Sequence, residues 1–249
     1  GKIRANANLR YDSTDGHYKE IYNYSIGESI EPGSTFKLAS ILAALEDNKT
    51  KLTDSLITGE GYTTYYNRGM QDVHKIGNGR VTVRDAFEHS SNVGISKVIN
   101  EAYKNEPEKF IERLYSFNLN TPLNLEIKGE GRPQIKHPSN KAIWYGTSLP
   151  WMSIGYELTV TPMQTLTLYN AIANNGVMVK PYFVTEIMEG GVSKQHFDTQ
   201  VINPKVVSES TLAMAKSLLE GVIERGTGKS TFKNAPYKVA GKTGTAQIA

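Results

Sequence analysis

The chain has 249 residues, of which 39% are hydrophobic and 21% are charged, a composition typical of a folded globular protein and not of a disordered one. Its 28 basic and 25 acidic residues leave a net charge of only +3, which disfavours a nucleic-acid partner. The chain has no cysteine, which excludes disulfides, cysteine-bound metals and thiol nucleophiles.

The first fifty residues change from weak patterns to a strongly apolar one. Lys2–Leu9 alternates loosely and predicts a short strand, and the polar, tyrosine-rich residues 11–31 predict a surface loop. After a Pro-Gly pair, the apolar side chains of residues 34–48 lie on almost every side of a helical wheel. This stretch is therefore predicted to be a buried helix.

The middle of the chain predicts a loop followed by three helices. Residues 59–79 are rich in glycine and tyrosine and favour a loop. Residues 82–89 begin with a threonine that suits a helix N-cap, and residues 93–103 carry apolar side chains at helical spacing. Residues 107–117 begin with a proline, which a first helical turn tolerates.

The last third predicts two helices and three strands. The helices are a long one opened by Thr161-Pro162 and stopped at Gly176, and another over residues 208–225. Strand-like runs cover residues 177–188, 201–207 and 238–249, the last of them interrupted by glycine.

Three short motifs carry groups that are useful in nucleophilic catalysis. They are S-x-x-K at Ser34–Lys37, S-x-N at Ser90–Asn92 and K-T-G at Lys242–Gly244. Each motif is weak alone, and Ser230–Lys233 repeats the first one. Context separates the two copies, because the first opens a strongly apolar helix whereas Asn-Ala-Pro follows the second and cannot continue one.

Ser34 and Lys37 lie one turn apart at the start of the same predicted helix. A serine hydroxyl becomes a nucleophile when a neighbour accepts its proton. A lysine can do so if burial and a second cation lower its pKa, and Lys242 is a candidate for that cation. The helix N-terminus also favours developing negative charge. The alternative interpretation is a helix cap followed by a surface lysine.

The other two motifs could complete such a site. Ser90 can relay a proton and Asn92 can orient an amide, although Ser90 or Ser91 could equally cap the next helix. The segment Lys242–Thr245 offers an ammonium for a carboxylate, hydroxyls, and backbone N–H groups for an oxyanion. Its glycine, Gly244, would let a substrate approach the backbone closely.

In this order the three motifs are the signature of penicillin-binding proteins and serine β-lactamases. Four longer segments resemble the transpeptidase domain of class B penicillin-binding proteins, namely Glu31–Lys37, Ser90–Gly94, Val160–Gln164 and Ala240–Gln247. The resemblance covers nearly the whole chain. Because the second motif ends in Asn92 and not in an aspartate, it is most similar to the motif of the septal, cell-division type, penicillin-binding protein 3. The resemblance implies an α+β fold of the penicillin-binding and β-lactamase-like kind, with a helical subdomain and an antiparallel sheet.

The resemblance also implies a reaction, peptidoglycan D,D-transpeptidation in septal cell-wall synthesis. Ser34 would attack the penultimate D-alanine carbonyl of a stem peptide to form an acyl-enzyme, which an amine of a neighbouring stem resolves into a cross-link. Lys37 would be the general base, Ser90 would belong to the proton relay, and Asn92 would hold the amide on the acyl side.

The K-T-G segment has the binding roles in this comparison. Lys242, Thr243 and Thr245 would bind the terminal carboxylate of the substrate next to Gly244. The backbone N–H groups of Ser34 and Thr245 would form the oxyanion hole.

The implied ligands are stem peptides and β-lactams, and the implied partners are division and cell-wall synthesis proteins, with no cofactor. The histidines lack metal-ligand spacing, so no metal site is expected. The family would place the domain on the periplasmic face of the inner membrane, anchored by an N-terminal segment outside these residues. A β-lactamase or a non-catalytic β-lactam sensor stays open as an alternative, although the sequence lacks the class A glutamate motif for deacylation.

We expect residues 1–249 to be a partial transpeptidase domain, helix-rich as given, with a helical core over about 34–225 and a K-T-G strand over about 238–249. Compared with the family, strands from the middle of the sheet would be missing. The strand that carries Lys242 would then have unpaired N–H and C=O groups. We therefore expect this strand to be displaced from Ser34 or paired with another chain, which leaves the activity of the fragment open.

Overall fold

The computed structural model describes residues 1–244. Within that range the helices are α1 (Tyr24–Gly27), α2 (Lys37–Glu46), α3 (Val83–Glu88), α4 (Asn92–Tyr103), α5 (Pro107–Ser116), α6 (Ser148–Met152), α7 (Pro162–Ala173), α8 (Glu209–Glu224) and α9 (Lys229–Phe232), with a 3-10 helix over Gly33–Phe36. The strands are β1 (Arg10–Asp12), β2 (His17–Lys19), β3 (Ser55–Ile57), β4 (Tyr62–Tyr65), β5 (Arg68–Gln71), β6 (Arg80–Thr82), β7 (Gln134–Ile135), β8 (Leu158–Thr159), β9 (Met178–Val179), β10 (Glu186–Glu189), β11 (Val192–His196) and β12 (Val201–Asn203).

Helix α2 is at the centre of the core because its sequence is apolar on every face. All of its residues from Lys37 to Leu45 are buried, and α4, α5 and α8 pack around it. Burying a leucine such as Leu42 completely stabilises the fold by about 2 kcal/mol. Lys37 at the beginning of α2, and Ser34 in the 3-10 helix directly before it, are therefore attached to a helix that is buried in the core.

Several helices begin at the polar caps that the sequence predicts. The Thr82 hydroxyl accepts a hydrogen bond from the N–H of Asp85, whose carboxylate accepts one from the Thr82 N–H, and Thr161 and Gln164 form the same reciprocal box before α7. Ser91 caps α4 by accepting from the N–H of Gly94. Such caps are each worth about 1 kcal/mol. They fix the start of α3 and of α4, the two helices on either side of Ser90.

The strands form two-stranded antiparallel pairs. They are β1 with β2, β3 with β6, β4 with β5, β7 with β8, β9 with β12, and β10 with β11. Residues 1–244 contain no sheet wider than two strands. The architecture is thus a helical core with peripheral antiparallel pairs, in agreement with the predicted helix-rich α+β class. No helix in these residues combines the length and the apolar character needed to cross a membrane.

Two predicted strands are absent from the described residues. Lys2–Leu9 contains no strand, because Lys2 forms only an isolated bridge to Tyr182 and β1 begins at Arg10. Residues 238–244, the described part of the predicted K-T-G strand, also have no regular secondary structure. Their backbone forms one hydrogen bond to the rest of the described chain, from the N–H of Gly241 to the carbonyl of Leu219. A single bond does not make the repeated pairing of a β-ladder.

Three other boundaries differ from the prediction. The predicted loop at 11–31 contains parts of the β1–β2 hairpin and α1, and the predicted loop at 59–79 contains the β4–β5 hairpin. The predicted strand at 177–188 is divided into β9 and β10. Strand pairing depends on a distant partner, and neither composition nor local alternation identifies that partner.

Candidate active site

Ser34 lies in the 3-10 helix directly before α2. The preceding residue, Gly33, has a φ of +55°, and its N–H donates to the carbonyl of Gly155 at 3.0 Å. Gly155 has a φ of +87°, and a Cβ at this position would overlap the carbonyl oxygen of Gly33. Glycine is therefore required at 155, and this close backbone contact holds the turn that presents Ser34.

Ser34 faces a cavity of about 850 Å³. Its other walls come from Gln71–Gly77, from Ser90 and Asn92, and from Tyr156. Gly226, Thr227 and Thr243 close the remaining side. Residues from all three predicted motifs thus line one cavity, which has the size of an ordinary ligand site.

The side chain of Lys37 is completely buried at the base of this site. Its Nζ donates to the carbonyl oxygen of Ser90 at 2.6 Å and to Oδ1 of Asn92 at 2.7 Å, and it lies 3.3 Å from the Ser90 hydroxyl. These bonds join the first motif to the second across 53 and 55 positions of sequence. The alternative of a surface lysine is therefore wrong.

Ser90 lies in the turn between α3 and α4, and Asn92 is the first residue of α4. Ser90 has a φ of +57°, which is uncommon for a residue with a side chain, and this conformation points both its carbonyl and its hydroxyl at Lys37. Asn92 also donates from Nδ2 to the carbonyl of Gln71 at 2.8 Å, which fixes the orientation of its amide. Ser91, and not Ser90, is the residue that caps α4.

Asp72 is a buried carboxylate that sequence reasoning missed. Its Oδ2 accepts from the hydroxyl of Ser91 at 2.7 Å and its Oδ1 accepts from the N–H of Val93 at 2.9 Å. It thereby holds the beginning of α4 and the S-x-N turn in place. An aspartate in a glycine-rich loop carries no motif, so only its contacts reveal this role.

Lys242 reaches the site, so the expectation that its segment is displaced from Ser34 is wrong for the described residues. Its Nζ donates to the hydroxyl of Ser90 at 2.7 Å and lies 5.9 Å from the centre of the Phe87 ring. The bond from Gly241 to the carbonyl of Leu219 fixes the backbone next to it. These side-chain and main-chain contacts position the ammonium without a strand.

The rest of the K-T-G segment is only partly described. The Thr243 hydroxyl lies 2.7 Å from that of Thr227, which follows α8, and both residues line the cavity. Gly244 passes close to Thr35, since a Cβ on it would approach the Thr35 methyl carbon at 2.8 Å. Thr245, predicted to bind the carboxylate and to contribute to the oxyanion hole, lies outside the described residues.

The two lysines have unusual proton affinities. Burial, together with the nearby charge of Lys242, holds the pKa of Lys37 well below its ordinary value of 10.5, and Asp72 opposes this shift. Burial lowers the pKa of Lys242 to about 7. A lysine with such a pKa can serve as a base at neutral pH.

The end of α8 is fastened to the S-x-N turn by a buried carboxylate. Arg225 donates to Glu88 from Nη2 at 2.7 Å and from Nε at 3.1 Å, and Arg84 approaches the same carboxylate at 3.4 Å. The Thr227 N–H donates to the Glu88 carbonyl at 3.1 Å. Because Glu88 lies two residues before Ser90, this contact positions Thr227 beside the second motif.

The second S-x-x-K copy is not part of the cavity wall. Ser230 and Lys233 lie in or next to the short helix α9 and both are exposed. The sequence context that separated the two copies is therefore confirmed, although one helical turn does form here.

Comparison with known proteins gives a consistent family. A family model described as the penicillin binding protein transpeptidase domain matches residues 1–249. The chain is 28% identical over 243 residues to stage V sporulation protein D of Bacillus subtilis, covering 95% of this chain and 36% of that protein. It is 30% identical over 253 residues to peptidoglycan D,D-transpeptidase FtsI of Buchnera aphidicola, covering 99% of this chain and 40% of that protein.

A solved structure shows the same fold. Penicillin-binding protein 3 of Mycobacterium tuberculosis, complexed with ampicillin, superimposes with a TM-score of 0.76 at 26% identity, covering 95% of this chain and 52% of that one. The chain therefore spans about half of this structure and 36 to 40% of the two curated relatives. Since the family model extends over the whole chain and all three motifs line one cavity, the chain belongs to the penicillin-binding protein transpeptidase family.

Proposed function

We propose that this domain is a serine D,D-transpeptidase that cross-links peptidoglycan stem peptides in septal cell-wall synthesis. The observation that carries the proposal is the shared acceptor at the centre of the site, the Ser90 hydroxyl, which lies 2.7 Å from Lys242 and 3.3 Å from Lys37. This cluster joins the three motifs, and Ser34 and Ser90 line the same cavity. The names of the relatives point to the same reaction.

The first step is acylation of Ser34. When Lys37 is neutral it has two N–H groups, and the Ser90 carbonyl and the Asn92 amide oxygen accept both of them. Its lone pair is then free to accept the Ser34 proton as Oγ attacks the carbonyl carbon of the penultimate D-alanine. Backbone N–H groups at the start of the helix, that of Ser34 included, stabilise the oxyanion.

Collapse of the tetrahedral intermediate requires a proton on the leaving amine. Lys242 donates to Ser90 Oγ, which leaves the hydroxyl proton of Ser90 free to pass to that nitrogen as the C–N bond breaks. The protonated Lys37 then replaces the proton on Ser90. Terminal D-alanine departs, Lys37 is neutral again, and the acyl group is esterified to Ser34.

The second step transfers the acyl group to an amine. An amino group of a neighbouring stem attacks the ester carbonyl and loses a proton to Lys37. That proton passes to Ser34 Oγ as the ester bond breaks. The products are an amide cross-link and free enzyme, and no cofactor takes part.

The Lys242–Thr243 segment is suited to the terminal carboxylate of the substrate. Lys242 supplies a positive charge beside Ser90, and Thr243 supplies a hydroxyl at the cavity wall, while Gly244 leaves the backbone open to close approach. We assign Thr245 the same carboxylate role, together with an oxyanion N–H. β-Lactams, which carry a carboxylate and a strained amide, would acylate Ser34 in the same way.

We place the domain on the extracytoplasmic face of the bacterial inner membrane, where its substrate is assembled. An N-terminal segment outside these residues would anchor it there, and division and cell-wall synthesis proteins would be its partners.

Acylation by a fluorescent penicillin tests the proposal. The wild-type protein should form a stable covalent adduct, and Ser34→Ala should form none while it keeps its thermal unfolding temperature. Ser230→Ala, in the second S-x-x-K copy, is the matched control and should label like the wild type. Failure of the wild type to label would contradict the catalytic proposal, whereas rapid loss of the label would favour a β-lactamase.

A further inference from the structure

The backbone segment from Gly155 to Val160 runs beside the turn that carries Ser34. Val160 exchanges hydrogen bonds with Ile30, at 3.0 and 3.1 Å. The N–H of Glu157 donates to the Glu31 carboxylate at 2.8 Å, and the carbonyl of Gly155 accepts from Gly33 at 3.0 Å. The position of Ser34 therefore depends on the position of this segment.

Glu157 lies at the point where the segment bends. It has a φ of +57°, in the left-handed region that residues with side chains rarely adopt. Its neighbour Tyr156 lines the cavity. A left-handed glutamate costs about 1 kcal/mol or more in backbone strain, so other contacts have to hold it in place.

Those contacts are made by its carboxylate, which is 14% exposed. Oε1 accepts from Arg68 at 3.2 Å, and Oε2 accepts from Lys136 at 3.0 Å and from the Ser148 hydroxyl at 2.7 Å. The three donors belong to β5, to the residue after β7 and to α6. Arg68 is fixed in turn by stacking 4.4 Å above the Trp151 ring.

Three separate elements thus converge on one carboxylate that has no part in the proton transfers proposed above. Two cations and a hydroxyl satisfy it with charge-assisted bonds, which are about twice as strong as neutral ones. The hydrogen bond from the Glu157 N–H to the Glu31 carboxylate connects this fixed residue to the turn before Ser34.

We propose that Glu157 is a positioning residue for the acylation of Ser34. Its carboxylate, held by Arg68, Lys136 and Ser148, fixes the bend at 155–157, and the bend fixes Ser34 relative to Lys37. The inference rests on the proposed function, because it assumes that Ser34 is the nucleophile. Such a residue acts on the rate of the chemical step more than on ligand binding, because reactivity depends on sub-ångström alignment.

Glu157→Gln tests this, since it keeps the shape of the side chain and removes the charge. We expect the limiting rate of acylation by a penicillin to fall about 10- to 100-fold, while the dissociation constant of the non-covalent complex changes by less than about threefold. Glu186→Gln, on the exposed strand β10, is the matched control and should acylate like the wild type. A folded Glu157→Gln protein that acylates at the wild-type rate would overturn the proposal.

The cationic partners give a second test that does not alter the strained residue. Lys136→Met should slow acylation and Lys136→Arg should restore it, because only the arginine keeps the charge. In the Glu157→Gln background, Lys136→Met should add little, since both changes remove the same contact. Fully additive effects, or equal rates for Lys136→Met and Lys136→Arg, would contradict the inference, whereas an unlabelled wild type would contradict only the proposed function beneath it.

Discussion

The ammonium of Lys242 donates a hydrogen bond to the hydroxyl of Ser90 at 2.7 Å, although 152 positions of sequence separate the two residues. Lys37 lies on the other side of the same hydroxyl, at 3.3 Å. One oxygen therefore has an ammonium group on each side, and the proton affinity of each lysine depends on the charge of the other. This arrangement leads to the first prediction.

The rate of acylation should depend on pH in a bell-shaped manner. The rate should rise as pH rises through the lowered pKa of Lys37, because only the neutral amine can accept the Ser34 proton. It should fall above the pKa of Lys242, about 7, because the neutral form no longer attracts a carboxylate. Second-order rate constants for a penicillin, measured as a function of pH on both sides of pH 7, check this shape.

Lys242→Arg checks the assignment of the alkaline limb. A guanidinium keeps its charge throughout this range, so the alkaline limb should move to higher pH while the acid limb stays nearly unchanged. A wild-type rate that keeps rising above pH 8 would contradict the role given to Lys242.

Asp72→Asn should weaken both the fold and the site. The amide can accept only one of the two hydrogen bonds that Ser91 and the Val93 N–H donate, and its NH2 group would face a donor. The free energy of unfolding should fall by about 2 kcal/mol, measured by urea denaturation. Asp198→Asn is the control, because that exposed carboxylate lies outside this network.

The same substitution should change the pH profile. The charge of Asp72 raises the pKa of Lys37, so its removal should move the acid limb of the acylation profile to lower pH. An acid limb that stays in place would show that Asp72 acts only on the structure of α4.

Gly155→Ala should be strongly destabilising and should slow acylation. The new Cβ would overlap the carbonyl oxygen of Gly33, and the left-handed φ of +87° adds backbone strain. We expect a loss of about 3 kcal/mol or more in the free energy of unfolding. Thermal unfolding and penicillin labelling would measure the two effects.

Gly190→Ala is the matched control for this prediction. It also places alanine at a positive φ, +56°, but no atom lies within 4 Å of the new Cβ. The free energy of unfolding of this variant should fall only by the backbone strain, about 1 kcal/mol, and the variant should be labelled by penicillin like the wild type. Equal effects of the two substitutions would show that the contact with Gly33 is unimportant.

Arg225→Met should destabilise the protein and slow acylation. It leaves the buried Glu88 carboxylate with only the longer contact to Arg84. Because Arg225 is half exposed, we expect the free energy of unfolding to fall by about 2 kcal/mol, which is less than the full cost of breaking a buried ion pair. Lys194→Met, which removes an exposed pair with Glu189, should change the unfolding free energy by less than about 0.5 kcal/mol.

What the sequence could predict depended on how local each signal is. Thr82, Thr161 and Ser208 cap the helices predicted to follow them, because a cap and its partner lie within one turn. Of the motif residues, Lys37 donates hydrogen bonds to Ser90 and Asn92, and Ser34 lines the same cavity as those two, so the first two motifs lie together as the sequence predicts.

Signals that depend on distant partners were not predictable. Asp72 and Glu157 are loop acids without a motif, and their partners lie up to 21 and 126 positions away. The strand predicted over Lys2–Leu9 failed because alternation does not supply a neighbouring backbone. The expected displacement of Lys242 failed because it assumed that a strand alone could hold the residue, whereas Ser90, Phe87 and Leu219 hold it.

The left-handed conformation of Ser90 affects which residues are favoured at this position. A glycine would adopt a φ of +57° without the strain of about 1 kcal/mol that a serine carries, so the backbone conformation taken alone favours Ser90→Gly. That variant would remove the oxygen that lies between the two lysines. The conformation of the backbone and the chemistry of the site therefore favour different residues at this position, because the same oxygen accepts the hydrogen bond that holds Lys242.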